Sequence, residues 1–174
     1  MTDAGNQQER LRTVGWVVGI VDGEGCFYVA IQRCRVVKLG WQVFPEFVVT
    51  QGAKSVSVLH ILRDFFGCGR LTAKGPNSSV MTYSVYGVDL ERVIIPFFDR
   101  YPLISRKLED FLKFREIVRL VRRKEHRTER GFRRVVELAF SMNQRGKQRK
   151  YRIEDVLAKP SETARRATQL FELG

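Results

Sequence analysis

Residues 17–25, Val17-Val18-Gly19-Ile20-Val21-Asp22-Gly23-Glu24-Gly25, join an apolar helical stretch to a run of strict alternation. Gly15, Gly19 and Gly23 recur every four residues, which lays them along one stripe of a helix. Each glycine costs about 0.8–1.0 kcal/mol relative to alanine in a helix interior, so a stripe of them asks for a reason. Removing the Cβ there lets a second backbone come very close. The apolar stretch is much too short to pair within a membrane, which leaves a tightly packed helix–helix seam. Two acids, Asp22 and Glu24, close the helix, where the negative end of its macrodipole disfavours them. A divalent cation reverses that penalty, and oxygen ligands are what magnesium takes. Positions two apart on a helix diverge by roughly 200°. The two acids therefore have different jobs, one facing a ligand and the other bonding back into the chain.

Upstream, Asn6 and Glu9 have the spacing of a capping box, which predicts a helix from about residue 7 through Leu11, Val14, Val17, Val18 and Val21. Downstream the period changes to two. Phe27, Val29 and Ile31 alternate with Cys26, Tyr28, Ala30 and Gln32, a strand with one face on the core. Gly40 marks a turn, and a second strand runs from Trp41 to Thr50 with Val43, Phe47 and Val49 inward. Pro45 within that strand points to an edge or a bulge. Val56, Leu59, Leu62 and Phe66 define the apolar face of a helix over about 55–66, ended by Gly67-Cys68-Gly69. Two short strands, about 70–74 and 80–86, flank a turn at Gly75-Pro76-Asn77. A short helix over 89–98, its end disturbed by Pro96, precedes a long one from about Arg106 to Lys124. Phe132–Met142 and Ile153–Leu157 are shorter helices. The order helix, hairpin, helix, hairpin, helices is an α+β arrangement. Its core covers residues 1–125, with a basic helical extension over 126–174 packed on the same domain.

With 174 residues, 44% of them hydrophobic, the chain can bury one sizeable core and gives no case for disorder. Lys and Arg number 31 against 19 Asp and Glu, a net charge of +12, and so basic a small protein has nucleic acid as its default partner. Residues 1–104 hold 11 of the cations and 9 of the acids, whereas residues 105–174 hold 20 and 10. The surplus in the last third is expected to contact phosphate in part. Cys26, Cys34 and Cys68 form neither a CxxC pair nor an even framework, and His60 and His126 are the only histidines. Zinc fingers, disulfide scaffolds and histidine-rich metal sites are thereby excluded. The first ten residues contain no apolar signal-peptide region and no apolar run approaches 18 residues, so the expected setting is intracellular, in a prokaryotic cytoplasm or an organelle, with no membrane partner.

Residues 17–25 resemble the LAGLIDADG motif of homing endonucleases. The resemblance extends over most of residues 8–125, through Phe47-Val48-Val49-Thr50-Gln51, the Gly67-Cys68-Gly69 turn, and Tyr101-Pro102-Leu103 ahead of Arg106-Lys107. Gly19, Asp22 and Gly25 match the motif letter for letter, and Glu24, longer by one methylene, stands for its final aspartate. The resemblance implies an αββαββα fold with a four-stranded antiparallel DNA-binding sheet and C-terminal helices. It also implies an intron-encoded enzyme that makes a metal-dependent double-strand break in a long pseudo-palindromic DNA target. A single motif copy implies a homodimer paired through Gly15, Val18, Gly19 and Asp22. The Glu24 carboxylates and Gly23 carbonyls are the implied ligands of Mg2+. Mn2+ is an alternative, and Ca2+ could occupy the site without turnover. Gln51 and Lys107 match the polar and basic residues around the attacking water and the phosphate. A further basic position of the family falls at about Ser55, so its role is vacant or passes to Lys54.

Within that implied fold, strand parity assigns the DNA face. Tyr28, Ala30, Gln32 and Cys34 face outward from the first strand, and Gln42, Phe44, Glu46 and Val48 from the second. The second hairpin contributes Arg70, Thr72, Lys74, Thr82 and Ser84. Arg33 and Arg35 reach phosphates from the strand end, and Lys38 joins them from the turn. Tyr28 and Phe44 suit thymine methyl groups, while Gln32 and Gln42 suit adenine edges. An RNA-binding intron maturase and a non-cleaving DNA-binding regulator use the same scaffold. The intact acid favours the endonuclease.

Overall fold

A computed structural model of the chain describes residues 3–75, 78–143 and 149–158. Helix α1 spans Asp3–Glu24, earlier at its start than the capping-box reading. Asn6 lies inside the helix, whose first turns are rich in strong formers such as Gln7, Gln8, Glu9 and Arg10. Strands β1 (Gly25–Arg33) and β2 (Trp41–Gly52) follow, then a 3₁₀ turn at Ala53–Ser55 and helix α2 (Val56–Phe66). Strands β3 (Arg70–Ala73) and β4 (Val80–Tyr86) form the second hairpin, of whose expected turn Pro76 and Asn77 lie outside the described residues. Next come a π-helical segment at Leu90–Ile94, helix α3 (Ile95–Arg100) and helix α4 (Lys107–Arg122). A 3₁₀ turn at Glu125–Arg127 leads to α5 (Glu129–Phe140) and α6 (Ile153–Leu157).

The four strands make one antiparallel sheet in the order β1-β2-β4-β3. β2 pairs with β4 from Glu46↔Tyr86 to Gly52↔Val80, and β3 pairs with β4 from Arg70↔Ser84 to Ala73↔Met81. Pro45 stands just beyond the last β2–β4 pair, so its missing N–H costs that ladder nothing. β2 is nonetheless an interior strand, between β1 and β4, so the edge alternative of the sequence reading is not met; Pro45 lies where the β4 partner has run out.

Two helical expectations are corrected. Pro96 does not end a helix near residue 98; it lies within an unbroken helical run, Ile94 and Ile95 before it keeping right-handed helical dihedrals, and the helix continues to Arg100. The preceding turns are wound as π-helix. Helix α5 begins at Glu129, not Phe132, because Thr128 caps it, its Oγ1 accepting from the Gly131 N–H at 3.1 Å.

Two compact units divide the chain. One comprises residues 1–28 and 45–112; the other comprises residues 29–44 and 113–174. In the first unit, Phe27 is the hub of an aromatic core, with ring centroids 5.5 Å from Phe47, 5.8 Å from Phe98 and 5.3 Å from Phe111. Tyr83 is fully buried there, and its hydroxyl donates to the Cys68 carbonyl at 3.0 Å. Burial pushes the ionisation of that phenol far up, so it serves as a hydrogen-bond donor. In the second unit, Phe114, Ile117, Val135, Val136 and Met142 are buried, and the Arg149 guanidinium donates to the Val29 carbonyl (2.9 Å) and the Ala139 carbonyl (2.6 Å). Of the extension expected over 126–174, residues 144–148 and 159–174 lie outside the described residues. Among the described residues, no helix is long and apolar enough to cross a membrane.

Candidate functional site

Val14, Val17, Val18 and Val21 bury one side of α1 in the core. Gly15, Gly19 and Gly23 are exposed on another side, and a Cβ built on any of them would meet nothing within 4 Å. Leu11 is 57% exposed and Trp16 38% exposed. The helix therefore carries an apolar face without bulk at its centre. Val18 is corrected as a seam residue, because it packs inward with the other valines. Leu11 and Trp16 were not foreseen as surface residues. The signal was present, since Leu11 lies four residues before Gly15 and extends the same stripe by one step. Gly25 is different, for its Cβ would lie 2.7 Å from the Val21 carbonyl oxygen, so the chain leaves the helix there only with glycine.

The two acids diverge as the helical geometry predicts. The Asp22 carboxylate accepts from the backbone N–H of Ile104 (3.0 Å), the N–H of Ser105 (3.0 Å) and the Ser105 hydroxyl (2.6 Å). Burial alone would raise its pKa, but these hydrogen bonds and the charge of Lys107 outweigh it and hold the group below the ordinary carboxylate value. Asp22 therefore does not offer itself to a seam, since its oxygens are engaged within its own chain. The Ser105 oxygen accepts from the Lys107 N–H at 3.2 Å and so helps to start α4. From that first residue, the Lys107 ammonium reaches back 3.1 Å to the Val21 carbonyl, 3.4 Å to the Gly23 carbonyl, and to the Gly25 carbonyl. Asp22 thus sits at the positive end of α4 and Lys107 at the negative end of α1, each favoured by the dipole it meets. Nearby, burial raises the Cys26 thiol pKa, so this cysteine stays protonated.

Glu24 is exposed and engaged in no hydrogen bond or ion pair among the described residues. Its carboxylate and the Gly23 carbonyl are oxygen donors of the kind magnesium takes, and the ammonium on Gly23 shows that this helix end holds a cation. The described residues contain no cluster of three or more His, Cys, Asp or Glu that could hold a metal ion. Gln51 is half-buried at the end of β2, opposite Met81, and Lys54 and Ser55 are exposed in the turn that follows. No described hydrogen bond joins these residues to Glu24 or Lys107.

On the outward face of the sheet, Tyr28, Gln32, Gln42 and Phe44 are exposed, as are Arg70 and Thr72 on β3; Arg33, exposed at the end of β1, has the opposite parity and its guanidinium stands 4.9 Å from the Trp41 ring centroid. Arg35, Lys38 and Lys74, in the loops at strand ends, are exposed too. Cys34, Glu46, Val48 and Thr82 are partly covered, and Thr82 shares a hydroxyl–hydroxyl contact of 3.4 Å with Thr50. Two of the expected DNA-facing positions are covered instead. Ser84, only 3% exposed, lies in register between Val48 and Arg70 and is shaded by both. Ala30 is buried, its single methyl reaching little beyond the backbone of the sheet. Tyr86 is an addition, half-exposed beneath the Arg70 guanidinium, which stands 4.9 Å from its ring centroid.

A sheet face lined by Tyr, Gln, Thr and Arg, together with a glycine-striped helix ending in a solvent-facing acid, defines the class of αββαββ DNA-processing folds. The chain belongs to the LAGLIDADG endonuclease family, whose sequence profile matches residues 17–118. It is similar to a protein named homing endonuclease I-ApeII from Aeropyrum pernix, 39% identical over 119 residues covering 65% of this chain and 66% of that protein. It is also similar to probable intron-encoded endonuclease 3 of Neurospora crassa, 33% identical over 135 residues covering 76% of this chain and 25% of that protein. The crystal structure of the homing endonuclease I-TnaI superposes with a TM-score of 0.74 at 38% identity, over 83% of this chain and 95% of that one. The chain thus spans about a quarter of the fungal relative and nearly the whole of the I-TnaI chain.

Proposed function

We propose that this chain is one subunit of a site-specific homing endonuclease that makes a double-strand break in a long, pseudo-palindromic DNA target. The observation that carries this is the end of α1, where a bare glycine face runs into an unpaired, solvent-facing Glu24. Two copies paired along Leu11, Gly15, Trp16, Gly19 and Gly23 bring two Glu24 side chains toward one axis. Each copy presents its sheet to half of the target, which accounts for the near-palindrome. The intron-encoded relative supports an intron as the setting of the gene.

Glu24 and the Gly23 carbonyl are the groups that would hold Mg2+, and Mn2+ would serve equally by ligand chemistry. When bound, the cation supplies Lewis-acid polarisation of the phosphate and lowers the pKa of water. Glu24 orients its carboxylate to the axis. Gln51 and Lys54 supply polar and basic contacts beside the scissile phosphate. Asp22 holds Ser105, and Ser105 starts the helix that carries Lys107. Exposed Tyr28, Gln32, Gln42, Phe44, Arg70 and Thr72 read base edges, and Arg33, Arg35, Lys38 and Lys74 grip phosphates. Affinity for duplex DNA falls steeply with salt, because phosphate contacts release counterions.

The test compares Glu24→Gln with the parent chain by gel shift on the target duplex and by nicking of a target plasmid in magnesium. Retained binding with cleavage reduced by about 10³-fold or more is expected, the scale of removing a main transition-state stabiliser. Undiminished cleavage would sink the proposal.

A further inference from the structure

We infer that Lys107 is a positioning residue for the cation site: its ammonium and a divalent cation contend for the Gly23 carbonyl, so Lys107 sets the metal affinity of the DNA-free protein. The inference rests on the reading of Gly23 and Glu24 as the cation's ligands. An ammonium has three donors, and Lys107 directs its own at the carbonyls of Val21, Gly23 and Gly25. The last carbonyls of a helix have no partners within it and carry the negative end of its dipole, so a cation belongs there. Lys107 supplies that cation from within the chain. Among the described residues it makes no ion pair with Glu24, one residue from Gly23 in sequence, and the carboxylate stays exposed. A second cation coming to Gly23 meets a like charge already in place. The Gly23 bond, at 3.4 Å, is the longest of the set and the one most easily surrendered. Val21 and Gly25 then retain the ammonium near the site. The anchoring through Ser105 and Asp22 explains why the lysine is aimed here in the first place.

Binding of Mn2+ to the full DNA-free chain, followed by the loss of the free-ion electron paramagnetic resonance signal, tests this. Lys107→Met should tighten Mn2+ binding about tenfold or more. Arg106→Gln removes the same charge from an exposed neighbour without touching the carbonyls, and should change affinity by less than about twofold. Lys107→Arg keeps the charge and should bind Mn2+ no more tightly than about threefold above the parent. In the unmutated protein, nuclear magnetic resonance of 15N-labelled lysine should show one protected ammonium signal that shifts on saturation with Ca2+. Equal tightening by Lys107→Met and Arg106→Gln would overturn the inference, leaving general electrostatics as the cause. Unchanged or weaker binding in Lys107→Met, or an ammonium signal indifferent to Ca2+, would overturn it as well. Mn2+ binding that survives Glu24→Gln undiminished would instead remove the ligand assignment itself, and the inference with it.

Discussion

In α5, Gly131 is buried, and a Cβ there would run into the Glu125 carbonyl; in α1, Gly15, Gly19 and Gly23 are exposed, and a Cβ would meet nothing. Both helices accept the helix-weakening residue, for reasons that lie in different places. At Gly131 the chain uses the missing side chain itself, to bring the Glu125–Arg127 turn hard against the start of the helix. In α1 no part of the described chain uses it. Glycine that serves the fold has its neighbour already in contact, whereas glycine that serves assembly waits for a neighbour from another molecule. On the proposed reading, the contrast marks α1 as the surface for partners without any reference to charge or hydrophobicity.

The contrast breaks most visibly at Gly131. Gly131→Val should cost about 3 kcal/mol of unfolding free energy by overpacking against a backbone carbonyl, measured by urea denaturation. A loss below 1 kcal/mol would mean that the turn yields easily, and the buried glycine would have no fold role. Gly19→Leu should leave the monomer folded, with unchanged circular dichroism, yet abolish self-association in sedimentation. A Gly19→Leu chain that still sediments as a dimer would place the partner surface elsewhere. Gly15→Ala sharpens the comparison further, because the same exchange should act with opposite signs on two quantities. It should raise the unfolding free energy of the dilute monomer by about 1 kcal/mol, the helix-propensity gain alone, while weakening dimerisation. Destabilisation of the monomer would show that the face is covered after all.

The smallest effect concerns Asp22. Its pKa is held below the ordinary carboxylate value in the folded chain, so its contribution to stability is present above the unfolded value, roughly pH 4, and is lost as pH falls through the folded one. Asp22→Asn should therefore lower stability at neutral pH by a modest amount and flatten the acid limb of the stability profile below about pH 4. An acid limb identical to that of the parent would exclude Asp22 as a linkage group.

The divergence of Asp22 and Glu24 was legible in the sequence because two positions on a helix point apart whatever surrounds them. The inward faces of β1 and β2 were legible for the same reason, through alternation. What depends on distant residues was not. The Lys107 ammonium lies 82 residues along the chain from Gly25, and no local pattern announces that it returns to the end of α1. Ala30 and Ser84 have the outward parity expected of them, but parity says nothing of how little a short side chain reaches beyond the sheet or of what shades it. Boundaries slipped where a single residue decides them. Thr128 caps α5 ahead of its apolar run, and the helix expected to falter at Pro96 runs through it to Arg100, with π-wound turns before it.

Strand β2 outlasts its β4 partner, and Trp41–Pro45 runs on with no strand on that side. Unpaired backbone along a strand is a template on which a foreign strand can add, the first step of aggregation. Pro45 occupies the first unpaired position and has no N–H to lend to such an intruder. A residue that reads as a flaw in strand propensity thus stands where it would oppose such an addition. Replacing it with valine would restore a backbone N–H at that position and is expected to promote association in concentrated solution.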